Sequence, residues 1–166
     1  MKRIMLIGSG GSGKSTLARE LGEKLNIPVY HLDALFWKPN WVGVEKDEQQ
    51  KVQELLVQKS AWIIDGNYSG TMDIRLEAAD TIIFLDIPRT VCTYRALKRM
   101  ITYRNRRRPD MGEGCEERFD IGFLKWVWSY PKEKRPGILK KLQQLQHKQI
   151  IQLRSPKQVK TFLETI

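Results

Sequence analysis

The stretch Arg3-Ile4-Met5-Leu6-Ile7-Gly8-Ser9-Gly10-Gly11-Ser12-Gly13-Lys14-Ser15-Thr16 decides how this chain folds. Its apolar, β-branched opening from Arg3 to Ile7 predicts a strand, and Leu17, Leu21 and Leu25 beyond it recur at helical spacing. Between them, Gly8 to Ser15 fits G-x-x-x-x-G-K-[ST], the pattern of a phosphate-binding loop. Each residue type has a physical task. Glycines let the backbone curl until its N–H groups point inward, and the following helix adds unpaired N–H donors and the positive end of its dipole. Lys14 is expected to reach terminal phosphates as a point charge and the Ser15 hydroxyl to ligate Mg²⁺, with Gly8, Gly10, Gly11, Ser12, Gly13 and Thr16 completing the cradle. Such a pattern arises by accident in roughly one chain of this length in two hundred, before a strand and a helix are demanded beside it. The expected ligand is a nucleoside triphosphate.

At 166 residues and 19.4 kDa the chain has the size of one domain, and residues 1–166 are read as one. Its 41% hydrophobic and 29% charged residues exclude a wholly disordered or fibrous chain. Cys92 and Cys115 suggest no disulfide framework and no paired C-x-x-C spacing, which points to a reducing cytoplasm. No run approaches the 18 apolar residues of a membrane span, so no membrane partner is expected. The formal charge of +10 favours a polyanionic ligand. The excess is local: seven basic residues and no acid lie between Arg95 and Arg108.

Outward from the loop, short apolar runs alternate with helical stretches, the signature of a parallel sheet wrapped by helices. Strands are predicted at Arg3 to Ile7, Val29 to Leu32, Ala61 to Ile64, Thr81 to Leu85 and Gln149 to Leu153. Helices are predicted at Ser15 to Leu25, Glu45 to Lys59, Thr90 to about Arg108, Phe123 to Tyr130, Gly137 to His147 and Lys157 to Ile166. The fold class is therefore α/β, a three-layer sandwich with a five-stranded parallel sheet and helices on both faces. Segments 34–60 and 104–130 read as an acceptor-side flap and a lid-like insertion within it.

Ligands of open α/β sheets sit beyond the carboxyl ends of the strands, where Gly8, Asp33 and Asp65 fall. Asp65 closes Trp62-Ile63-Ile64 as an acid that could hold Mg²⁺ with Ser15, or it begins the turn Asp65-Gly66-Asn67; the metal role is preferred beside a phosphate loop. Asp33 is either a base or metal-assisting carboxylate for an acceptor hydroxyl, or a helix N-cap. His31 is read as packed or exposed. On the helix from Thr90, Arg95, Arg99 and Arg106 fall within about 40° of one another, with Tyr94, Leu97 and Ile101 on the opposite side. Arginines without an acid at i±4 repel one another unless an anion sits among them, so a cationic lid closing over phosphates is expected. Trp62 is read as core, whereas Trp37 and Trp41 could wall an acceptor pocket.

These residues together resemble the adenylate-kinase-like small-molecule kinases among P-loop proteins. More closely the chain resembles the DNA topology modulation (FlaR-type) family, through His31-Leu32-Asp33 with Trp37, Trp62-Ile63-Ile64-Asp65-Gly66-Asn67-Tyr68-Ser69 and Ala79-Asp80-Thr81-Ile82-Ile83-Phe84-Leu85-Asp86-Ile87-Pro88. The resemblance implies that Arg95 packs on the ATP base, that Arg99 reaches its phosphates, and that Ser155-Pro156-Lys157 forms a base pocket. Nucleotide kinases of this shape carry an acceptor-binding arginine just after the Asp-Gly pair. Here the first arginine is Arg75, ten residues beyond Asp65.

The expectation is an ATP-dependent kinase using Mg²⁺, with Lys14, Asp33, Arg99 and Arg106 catalytic, Ser15 and Asp65 on the metal, and a small-molecule acceptor. A monomer or homodimer is expected. The rival readings are a nucleotide-responsive DNA-binding protein, which the basic strip would suit, and a plain NTPase.

Overall fold

The computed structural model describes residues 1–145 and 147–166. Its centre is a five-stranded parallel sheet in the order β2-β5-β1-β6-β7, formed by β1 (Arg3–Gly8), β2 (Val29–His31), β5 (Trp62–Asp65), β6 (Thr81–Leu85) and β7 (Gln149–Leu153). Alternate residues of each inner strand enter different cores. Met5, Ile7, Trp62, Ile64, Ile82 and Phe84 pack on one face, and Ile4, Leu6, Ile63, Ile83 and Leu85 on the other. Both faces are covered, which is why these strands read as unbroken apolar runs.

The second face carries α1 (Lys14–Leu25), α5 (Arg89–Thr102) and α8 (Pro156–Glu164), through Leu17, Ala18, Leu21, Cys92 and Phe162. The first face carries α2 (Leu32–Phe36), α3 (Lys46–Val57), α4 (Met72–Ala78) and α7 (Arg135–Gln143). Helix α6 (Ile121–Glu133) reaches both cores, with Val127 on one side and Tyr130 on the other. A two-stranded antiparallel hairpin, β3 (Trp37–Lys38) and β4 (Val42–Gly43), stands outside the main sheet. Among the described residues no helix is long and apolar enough to cross a membrane.

Local sequence explains most element ends. Asn26 takes a left-handed conformation (φ 53°) to end α1, Asp120 accepts the Phe123 N–H to start α6, and Ser155 caps α8 ahead of Pro156. Two helix expectations change. The helix predicted to run to Arg108 stops at Thr102, where the C-cap Tyr103 leaves helical geometry (φ −101°, ψ 16°), and Asn105 beyond it turns left-handed (φ 57°) as the chain continues in a loop. The inward face of α5 is then Cys92, Ala96 and Met100, while Tyr94 and Ile101 are 65% and 68% exposed. The helix predicted over Gly137 to His147 covers Arg135–Gln143, and Gln146 lies outside the described residues.

Candidate active site

A cleft of about 890 Å³ runs over the carboxyl edge of the sheet, floored by residues Gly10 to Leu17 of the loop and of α1. Gly11 (φ 72°) and Gly13 (φ 98°) are left-handed, and a side chain at Gly11 would meet the Cys92 carbonyl oxygen at 2.2 Å. A side chain at Gly10 would meet Phe123 of α6 at 2.5 Å. The loop is therefore wedged between α5 and α6 in a shape only glycine allows. Lys14 Nζ donates to the Ser9 carbonyl (2.8 Å), and the buried hydroxyls of Ser9 and Ser12 have no partner among the described residues. Gly8 lies just outside the cleft lining. Its backbone N–H and C=O are both engaged by the Asn67 side chain (3.2 and 2.8 Å), so its part is to tie β1 to the turn after β5.

Strand register assembles the next layer. His31 is the Cα partner of Asp65, and Leu6 pairs with Asp65 from the other side. Asp65 Oδ2 accepts from the Ser15 hydroxyl (2.7 Å) and stands 2.9 Å from His31 Nδ1, while the buried Asp65 Oδ1 has no partner. His31 is thus packed, its side chain 14% exposed, and it is packed against Asp65. The signal for it was the register of two adjacent strands, which the linear sequence does not display.

Asp33 lies in the first turn of α2 and not at its N-cap, which is His31. Its Oδ1 accepts from the Tyr68 hydroxyl (2.8 Å), and it lines the cleft. Desolvation raises its carboxyl pKa despite that hydrogen bond, and the nearby Asp65 carboxylate adds to the rise. Burial and the Asp33 charge push the Tyr68 phenol upward, so it remains a proton donor. Arg75 is fully buried and donates to the carbonyls of Gly66 (2.6 Å), Asn67 (2.7 Å) and Tyr68 (3.4 Å). It shapes the turn that presents Tyr68 and does not line the cleft.

The arginine side differs most from expectation. Arg95 and Arg99 of α5 do line the cleft; Arg95 sits 3.5 Å from the Ser12 carbonyl, and Arg99 stands over the Phe123 ring at 5.4 Å. Arg106 is exposed and outside the lining, since the helix that would have aligned it ends four residues earlier. Arg108 points in instead, 8% exposed. Of the expected trio Arg99 has an acid partner, and Arg108 has two. Glu117 stands 2.6 Å from Arg108 Nε and 3.6 Å from Arg99 Nε, and Asp110 lies 3.4 Å from Arg108. Both acids come from the loop after α5: Glu117 lies nine residues beyond Arg108, and Asp110, only two residues beyond it, reaches it through a turn and not across a helical i±4 step. Burial lowers the Arg99 pKa and Arg108 lowers it further; burial opposes ionisation of Asp110, but Arg108 and Ser15 outweigh it and hold its pKa down.

That loop docks on the hairpin. Asn40 N–H donates to the Gly114 carbonyl (3.0 Å), Trp41 Nε1 to Glu116 (3.1 Å), and the Cys115 thiol to Lys38 (3.1 Å). Trp37 and Trp41 meet edge to face at 5.7 Å and both line the cleft, with Arg118 over the Trp41 ring at 5.3 Å. Of segment 34–60 it is this hairpin that faces the cleft, whereas α3 packs Leu56 into the core. At the far end, Pro156, Val159, Lys160 and Leu163 of α8 line the cleft. Ser155 does not, because its hydroxyl is turned to the Gln158 N–H (3.2 Å).

No family model matches the chain. A shikimate kinase from Sulfurihydrogenibium sp. (strain YO3AOP1) is 39% identical over 59 residues, a match spanning 36% of this chain and 31% of that kinase. Whole-chain likeness is found among solved structures. The shikimate kinase from Bacteroides thetaiotaomicron superposes with a TM-score of 0.61 at 17% identity over 99% of this chain and 95% of that one. The Aquifex aeolicus shikimate kinase gives 0.53 at 22% identity over 98% and 94%, and a sugar kinase from Janibacter sp. HTCC2649 gives 0.54 at 16% identity over 99% and 93%. The fold is that of the P-loop kinases with a five-stranded parallel sheet.

Proposed function

We propose that this chain is an ATP-dependent phosphotransferase acting on the hydroxyl group of a small molecule. The observation that carries the reading is that the phosphate loop, the Ser15–Asp65 pair and Asp33 face one continuous cleft lined by Arg95, Arg99 and Arg108. The curated shikimate kinase match and the kinases of the same fold support it.

The residues present fit a magnesium-bound triphosphate. Two buried loop hydroxyls lack partners among the described residues, Gly11 leaves no room for a side chain, and Asp65 retains an unpaired oxygen beside Ser15. Ser15 and Asp65 would hold Mg²⁺, which would neutralise phosphate charge. Among the described residues no three His, Cys, Asp or Glu side chains gather as metal ligands, so phosphate and water oxygens would complete that shell. The loop amides and Lys14 would bind the phosphates, and α8 around Pro156 would face the base.

Chemistry would then ask little beyond positioning. The acceptor oxygen bonds to the γ-phosphorus as the bond from that phosphorus to the β–γ bridging oxygen breaks, leaving ADP. The hydroxyl proton passes to the Asp33 oxygen not held by Tyr68, and Arg99 and Arg108 face the charge that develops. Lys14→Ala tests the reading. Nucleotide turnover is expected to vanish with the melting temperature little changed, and undiminished turnover refutes it.

A further inference from the structure

From the charge and aromatic pattern of the cleft's acceptor end we infer that the acceptor is an uncharged ring-bearing polyol, a nucleoside or a free sugar, and not a phosphorylated or carboxylated compound. This rests on the phosphotransferase reading above and narrows its substrate.

An anionic acceptor, arriving beside the triphosphate, needs a cation that neither a protein acid nor the phosphates already occupy. Arg75, the first arginine after the Asp65-Gly66 turn, is fully buried, with its guanidinium spent on the carbonyls of Gly66, Asn67 and Tyr68. Arg108 enters the cleft closely paired, with Glu117 at 2.6 Å and Asp110 at 3.4 Å, and Arg99 shares Glu117. Two arginines and two acids sum to no net charge there. Asp33 and Asp65 then face the same space with Lys14 on the phosphate side, so a carboxylate or phosphate arriving beside Asp33 meets like charge. Among the described residues the other cation lining that end is Arg118, which is exposed and spread over the Trp41 ring, where water screens its charge.

What the acceptor end does offer is an aromatic corner of two inclined indole rings and a fixed hydrogen-bond acceptor. Trp37 and Trp41 stand edge to face beside Tyr68, whose hydroxyl fixes one oxygen of Asp33 and leaves the other to receive a hydroxyl. A ring with an apolar face and a free hydroxyl meets both. On transfer the hydroxyl oxygen gains the phosphorus, ADP leaves, and the proton goes to Asp33.

The test is calorimetry on the intact protein with Mg²⁺ and a nonhydrolysable ATP analogue, followed by titration of each acceptor. Adenosine and thymidine form one arm, ribose and glucose a second, and shikimate, gluconate and nucleoside monophosphates a third. Binding in either neutral arm at least tenfold tighter than any anion, weakened tenfold or more by Trp41→Ala with analogue affinity unchanged, is the expected result. The first two arms tell a base-bearing acceptor from a free sugar. Preference for an anion, or uptake of the analogue with no neutral compound bound, overturns the inference while leaving the phosphotransferase reading in place. Failure to take up the analogue instead removes that reading itself.

Discussion

The carboxylate of Glu117 lies 2.6 Å from Nε of Arg108, in a position where both side chains are buried. Through its other oxygen Glu117 also stands 3.6 Å from Arg99. A buried acid between two cleft arginines makes the loop after α5 part of the cleft wall. Removing one member of such a group leaves uncompensated charge, which typically costs about 3–5 kcal/mol.

Glu117→Gln is accordingly expected to lower the melting temperature of the free protein. If triphosphate oxygens can face Arg99 and Arg108, Mg²⁺ and the nonhydrolysable analogue will raise that temperature more in the variant than in the parent. Differential scanning fluorimetry with and without nucleotide checks both halves, and an equal nucleotide shift in the two proteins counts against the arginines meeting phosphate.

Arg75→Met is expected to cost about 3 kcal/mol or more, since it strips the donors from the Gly66, Asn67 and Tyr68 carbonyls in a buried turn. Burial brings the Arg75 pKa down to about 10, so the group it loses is still charged at neutral pH. Urea unfolding reads the change, and a loss below about 1 kcal/mol means that water reaches those carbonyls.

Gly11→Ala places a methyl against the Cys92 carbonyl at 2.2 Å in a left-handed conformation. Backbone cannot swing aside as a side chain end does. A loss of at least about 2 kcal/mol is expected from crowding and the unfavourable φ together, accompanied by loss of nucleotide binding. Unfolding curves and analogue titration on the same sample provide the check.

Asp33→Asn is expected to lower kcat by about 10²–10⁴ while leaving analogue affinity close to that of the parent. The raised Asp33 pKa sets the pH dependence. The carboxylate must be ionised to take a proton, so the parent's rate falls as pH drops through a pKa above the ordinary carboxylate range, about 3.9. A rate independent of pH down to about 4 argues against Asp33 as the base.

Asp86 supplies a stability test at acid pH. Partial burial opposes its ionisation, but hydrogen bonds from Arg135 (2.7 and 2.8 Å) and Gln152 (2.7 Å) outweigh burial and hold its pKa low. A depressed folded-state pKa means stability that is present above the unfolded carboxylate pKa and lost as pH falls through the folded one. The melting temperature of Asp86→Asn is therefore expected below that of the parent at neutral pH. The gap closes as pH falls through the depressed Asp86 pKa, below the ordinary carboxylate range, where the parent's carboxylate is protonated as well.

The linear sequence by itself determined the strand, loop and helix of the phosphate cradle and all five sheet strands to within a residue or so, because these depend on short unbroken apolar runs, glycine content and short-range spacing. It also marked Asp33, Asp65 and the tryptophan pair as facing the cleft, since strand ends in a parallel sheet converge on one edge. Only the tertiary structure decided which charges meet. His31 reaches Asp65 through strand register, Glu117 and Asp110 come from a loop to neutralise arginines, and Arg108 replaces Arg106 because the helix ends at Thr102, before its alignment reaches Arg106. These pairings join residues distant in the chain or turned by a loop. Their geometry follows from packing that local periodicity does not encode.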